Sequence, residues 1–180
     1  MGNSYYGIPM KPVSKVTAIV CIIVAVLFWI YALTDSDGFL LLDYVNLPFH
    51  EFGHIFFGFF GQTLGVWGGT LSQLIIPLVV FASFARRGET LGMVFAVFWF
   101  GENFLNIGVY VGDAKDMILP LVGGGEHDWN MILSRLRLVD HCRGIAVALK
   151  ITGWLIMIVS ILWLAAFAFL QESGEKERGA

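Results

Sequence analysis

"NLPFHEFGHIFFGFF", residues 46–60, puts two histidines and a glutamate into a run that after Asn46 and Pro48 is otherwise phenylalanine, leucine, isoleucine and glycine. Ionisable groups in hydrocarbon cost at least about 2.5 kcal/mol for an Asp-type group at a helix centre, so they are rarely kept without a role. Three within five residues are poorly explained as packing. Pro48 suits the first turn of a helix. In such a helix, residues four apart differ in direction by about 40°, so His50 and His54 project from one face on successive turns. Glu51 is offset by about 100° and falls beside whatever the two imidazoles hold.

The rest of the chain has the same apolar character. It has 180 residues, 57% hydrophobic and 14% charged, with a mean hydropathy of +0.76. That composition predicts an all-α polytopic membrane protein with five to six membrane-embedded helices, in the cell membrane, with the lipid bilayer as its surroundings. A spanning helix uses roughly 20 residues, so one integral membrane domain fills the chain. The formal charge is −3 and the basic residues sit in short clusters, which excludes nucleic acid as a partner. Cys21 and Cys142 lie far apart and match no paired spacing. Oligomeric state and orientation are not legible.

Outward from residues 46–60, the expected segments are a polar N-terminus (1–14), a span at 15–34, the histidine-bearing helix at 45–60 and spans at 70–85 and 90–111. A short helix at 126–140, a span at 144–170 and a polar tail at 171–180 complete the chain. The first span is a retained helix rather than a signal peptide, being long and lacking a small-x-small cleavage pattern. Between the histidine helix and the next span, "GQTLGVWGGT" (61–70) reads as a loop or hairpin by its glycines and extended-structure formers. An exposed edge there, at Leu64 and Val66, is a place where an extended substrate could add as a strand. Lys11, Lys15, Arg86, Arg87 and the arginines at 135–143 cannot all lie on one side if residues 45–60 cross fully. Either that segment is re-entrant or one basic cluster breaks the positive-inside pattern.

"HEFGH" is an HExxH pattern: two imidazoles for one ion and a carboxylate placed to accept a proton from bound water, with zinc the ion it suits. Zinc needs a third protein ligand. The candidates are Asp128 first, at the head of "HDWNMILSRL", then His127, with Glu102 and Asp113 as rivals. Asp128 has a second reading as the cap of that short helix. Asn103, Asn106, Tyr110 and Asp113 are spaced three, four and three apart on one helical face. With Glu102, the two asparagines are expected to form the polar part of a pocket; interhelical hydrogen bonding accounts for the stripe equally well. Gln73 is a further polar residue in an apolar span.

"HEFGH" in a membrane segment, followed by further spans and a later acidic residue heading a helix, resembles the site-2 protease family of intramembrane zinc metallopeptidases. The resemblance covers residues 45–140. It implies Zn2+ held by His50, His54 and Asp128, Glu51 as general base, and hydrolysis of peptide bonds in membrane-associated or transmembrane substrates. Trp129 stands where that family has glycine after its aspartate. Two other readings remain: a non-catalytic membrane adaptor that keeps the fold, and a di-iron oxygen-activating enzyme, disfavoured by having four histidines in all.

Overall fold

The computed structural model describes residues 4–5, 8–35, 38–121 and 126–178, with side chains over 10–35, 38–121 and 126–170. The glycine run at 123–125 and the polar tail's side chains lie outside the described residues. A two-residue antiparallel pair, β1 (Ser4–Tyr5) and β2 (Ile8–Pro9), precedes six helices. These are α1 (Lys15–Thr34), α2 (Asp43–Gly58), α3 (Gln62–Arg87), α4 (Thr90–Asp113), α5 (Asp128–Leu136) and α6 (Cys142–Arg178). The regions of α1, α3, α4 and α6 are long and apolar enough to cross a membrane. The protein is therefore an integral, multi-pass membrane protein.

Which helix ends share a side follows from their contacts. The Lys11 N–H donates to the Gly88 carbonyl (2.8 Å), and Lys11 Nζ pairs with Glu89 at 2.5 Å. Lys15 Nζ sits over the Phe169 ring. The start of α1, the end of α3 and the end of the apolar part of α6 thus lie together. At the opposite end, Lys115 pairs with Asp140 (2.6 Å) and Arg143 with Asp116 (2.9 Å). Arg86 and Arg87 therefore share a side with Lys11 and Lys15, while the 135–143 cluster is across the membrane. The conflict among basic clusters resolves both ways: α2 does not cross, and the second cluster breaks the pattern.

α2 is too short to cross: sixteen residues at 1.5 Å each reach about 24 Å, against a hydrocarbon core of about 30 Å. It pairs antiparallel with the first half of α3, so it starts at mid-depth and rises to the side where α1 ended. Glycines make that pairing close. A Cβ on Gly53 would collide with the Gly68 carbonyl, and one on Gly68 with that of Gly53. Without a hydrophobic driving force between helices in lipid, such close approach is how van der Waals contact accumulates. The loop or hairpin expected at 61–70 is consequently wrong. Those glycines form the first turns of α3, and their small size serves helix packing rather than a turn. No strand edge exists at Leu64 and Val66 for a substrate to join.

Other boundaries shift modestly. α2 begins at Asp43, two residues before the expected start, which moves Pro48 from the first turn into the helix interior. α3 ends in a left-handed Gly88 (φ 66°), whose N–H and that of Glu89 reach back to the Ala85 and Phe84 carbonyls. α4 is the centre of the bundle. It packs on α6 through Gly101 and Gly153, each placed where a Cβ would press on the other's carbonyl. α5 is a nine-residue helix anchored by Trp129, Ile132 and Leu133, with Trp129 set edge-on to Trp67 of α3 (centroids 5.5 Å apart).

Gly53→Ala is expected to lower thermal stability in detergent by the equivalent of about 1–3 kcal/mol of overpacking. Gly144→Ala, where no atom lies within 4 Å of the added methyl, is expected to leave the midpoint in place. Equal midpoints for the two variants would contradict the α2–α3 seam.

Candidate functional site

The site sits where α2, α3, α4 and the head of α5 converge. His50 and His54 present their Nε2 atoms to one carboxylate oxygen: Asp128 Oδ2 lies 3.2 Å from His50 Nε2 and 3.1 Å from His54 Nε2. All three are largely buried or half-buried, and their donor atoms lie within 4.8 Å of one another. Space for this comes from Gly69 on α3. A Cβ there would fall against His50 Cε1 (2.5 Å) and His54 Nε2 (2.6 Å).

The other ring nitrogen of each histidine is already engaged. His54 Nδ1 donates to the Gly65 carbonyl at 2.7 Å; a carbonyl only accepts, so the proton is on Nδ1. His50 Nδ1 faces Gln73 Oε1 at 2.9 Å. Gln73 Nε2 donates to Asn106 Oδ1 at 2.9 Å, which orients the amide so that its oxygen accepts from His50. With Nδ1 protonated in both rings, each Nε2 meets the Asp128 carboxylate in one of two ways: with a second proton that it donates to the carboxylate, or with an electron pair that shares a cation with it.

A divalent ion fits the spacing. Zinc bound at about 2.0–2.2 Å in a tetrahedron separates its ligands by about 3.3–3.6 Å, close to the observed 3.1 and 3.2 Å. Histidine ligands of metals usually donate their second N–H to a carbonyl or carboxylate, as both do here.

Asp128 is not the cap of α5. His127 occupies that position, its Nδ1 accepting from the Asn130 N–H (3.2 Å), and this leaves the Asp128 carboxylate free to turn to the histidines. Asn130 Nδ2 donates to the Ala114 carbonyl and ties the start of α5 to the end of α4. The Asp128 N–H donates to the Tyr110 hydroxyl (3.3 Å). His127 itself is 3% exposed, stacks on Tyr110 and lies 3.4 Å from Asp113. Neither it nor Asp113 joins the three-donor group. Glu102 is fully buried one layer deeper, accepting from Asn46 Nδ2 at 3.0 Å.

A cavity of about 950 Å³ opens onto the three donors and is lined also by Glu51, Gln62, Asn106, Tyr110 and Glu126. Its apolar part includes Phe39, Leu47, Val109, Leu119 and Leu121. Of the expected pocket asparagines, Asn106 lines it and Asn103 does not. Asn103 is fully buried and donates to its own helix at the Trp99 carbonyl, and Glu102 is equally withdrawn. Gly69 and Asp43 were not anticipated. Asp43 stands seven residues before His50 on the same helical face, a spacing visible in the sequence; Gly69 was obscured by the hairpin reading of its segment.

No family model matches the chain, and no solved structure matches it. A curated relative, the probable peptidoglycan glycosyltransferase FtsW of Methylococcus capsulatus, is 33% identical over 104 residues. The match covers 51% of this chain and 26% of that protein, so the chain spans about a quarter of the relative's length. This similarity corrects the resemblance to site-2 proteases. The relative is named for glycosyl transfer, not proteolysis, and the expected intramembrane zinc peptidase is set aside with its peptide-bond chemistry. It lends no support to the adaptor reading either.

Gly69→Ala is expected to force both imidazoles off Asp128 and to lower the thermal midpoint in detergent by the equivalent of about 1–3 kcal/mol, while the helical content by circular dichroism is retained. An unchanged midpoint would contradict the described packing.

Proposed function

We propose that this chain is a metal-dependent membrane enzyme. It deprotonates a hydroxyl for group transfer on a glycan-bearing substrate. His50, His54 and Asp128 hold a divalent cation, zinc by their donor chemistry, and Glu51 is the base. The observation that carries the reading is the meeting of three electron-pair donors whose remaining protons are committed elsewhere. The glycan class is supported by the named activity of the M. capsulatus relative.

When bound, a cation of this kind acts as a Lewis acid and lowers the pKa of a coordinated hydroxyl. The chain's own residues do the rest. Glu51 lines the same cavity and accepts the proton of the attacking hydroxyl, returning it to the leaving oxygen. Tyr110 keeps the Asp128 end of α5 in place through the bond from the Asp128 N–H. The cavity's mixed lining suits an amphipathic molecule, its polar end at the histidines and its apolar end against Leu47 and Val109.

Purified protein is expected to carry close to one zinc per chain, lost in His50→Ala and in His54→Ala and kept in Glu51→Gln. With radiolabelled peptidoglycan precursors as substrate, Glu51→Gln is expected to cut turnover by roughly 10²–10⁴-fold. Wild-type protein that takes up no zinc, or a Glu51→Gln variant with full turnover, would overturn the proposal.

A further inference from the structure

Behind His50, the contacts of Gln73 and Asn106 continue into the interior as far as Asp43 and Asn46. Gln73 Oε1 accepts from His50 Nδ1 (2.9 Å), and Gln73 Nε2 donates to Asn106 Oδ1 (2.9 Å). Asn106 then meets the Asp43 carboxyl, which also receives the Leu40 N–H at 2.6 Å and Asn46 Nδ2 at 3.3 Å. Asn46 is itself fixed, its oxygen accepting from Trp99 Nε1 at 2.7 Å and its nitrogen reaching Glu102. Gln73, Asn46 and Asp43 are at most 4% exposed, while Asn106 reaches the cavity wall.

The direction of every bond in this chain is set from its far end. Asp43 lies against Glu102 as well as Asn106, and with the proton these two buried acids share held on Glu102, Asp43 only accepts, so it turns the nitrogen of Asn106 towards itself and the oxygen towards Gln73. That oxygen draws the nitrogen of Gln73, whose own oxygen is left for His50. An amide is nearly symmetric in shape, and only its partners decide which way it faces. Were Gln73 reversed, its nitrogen would meet Nδ1, drive the proton to Nε2 and close the electron pair that faces Asp128.

We propose that Gln73, oriented through Asn106 by Asp43, is a positioning residue that holds His50 in the Nδ1–H form and so keeps its Nε2 electron pair directed at the ion site. The proposal rests on the metal-dependent reading for its consequence, but the tautomer it assigns belongs to the metal-free protein. His54 is held by a backbone carbonyl instead and is independent of this chain.

The test is nitrogen-15 NMR of labelled imidazoles in metal-free protein in detergent, at about pH 8, where ordinary histidines are neutral. Cobalt titration accompanies it. In wild type, Nδ1 is expected protonated in both histidines, whether or not Nε2 shares a further proton with Asp128. Gln73→Leu is expected to give His50 a mixed tautomer with His54 unchanged, and to weaken cobalt binding 10–100-fold. Gln73→Glu, which can only accept, is expected to restore both. Asn106→Ala, which leaves Gln73 in place but lets its amide turn, is expected to give His50 a mixed tautomer as well.

An unchanged His50 in Gln73→Leu and Asn106→Ala would overturn the proposal. So would a Gln73→Glu variant no better than Gln73→Leu. Loss of the His54 signature in Gln73→Leu would mark a general loss of packing, and the Asn106→Ala spectrum then decides. Wild type that binds no cobalt, yet shows the expected tautomers, would refute the metal-dependent reading while leaving the positioning role intact.

Discussion

Two imidazole Nε2 atoms and a carboxylate oxygen are held facing one another at the wall of a large cavity, and much of the structure serves to keep them there. Acceptors this close repel one another unless a proton or a metal cation lies between them, so the arrangement calls for a stiff scaffold. The scaffold supplies that stiffness in three ways. The glycine seam draws α2 against α3, Gly69 leaves room for the rings, and Asn130 and Tyr110 fix the head of α5 to α4. Polar bonds between helices at mid-depth then set the rotation of α2 about its own axis.

The membrane makes this economy intelligible. α2 crosses nothing; it begins at mid-depth and ends near one face, so it contributes little to anchoring and much to the site. α1, with its apolar surface broadly exposed, is a lipid-facing anchor by comparison. α4 is buried on several sides and carries Asn106 and Tyr110 to the cavity while turning Glu102 and Asn103 inward. One helical face thus divides between a pocket lining and an internal clamp, which is why a single interpretation of its polar stripe does not hold throughout.

Hydropathy made the fold class legible, because length and apolar content alone decide what can span lipid, although four helices among the described residues, not five or six, are long and apolar enough to do so. The four-residue spacing of His50 and His54 made their shared face legible for an equally local reason. What failed was non-local. "GQTLGVWGGT" has the composition of a turn, yet its glycines answer to the helix they face, and nothing within the segment reports that. The capping of α5 by His127 instead of Asp128 likewise depends on Tyr110 and the two histidines, brought together from α4 and α2. The resemblance to intramembrane proteases rested on HExxH, a pattern that states how an ion can be held and says nothing of the bond being broken.

The central claim is tested most directly by X-ray absorption spectroscopy of the zinc-loaded protein in detergent. The expected first shell is two imidazole nitrogens and a carboxylate oxygen at about 2.0–2.2 Å, with one further light atom completing four-coordination. Loss of the imidazole scattering pattern in the His50→Ala, His54→Ala double variant would be consistent with that assignment. A wild-type spectrum of oxygen ligands alone, without imidazole scattering, would contradict it.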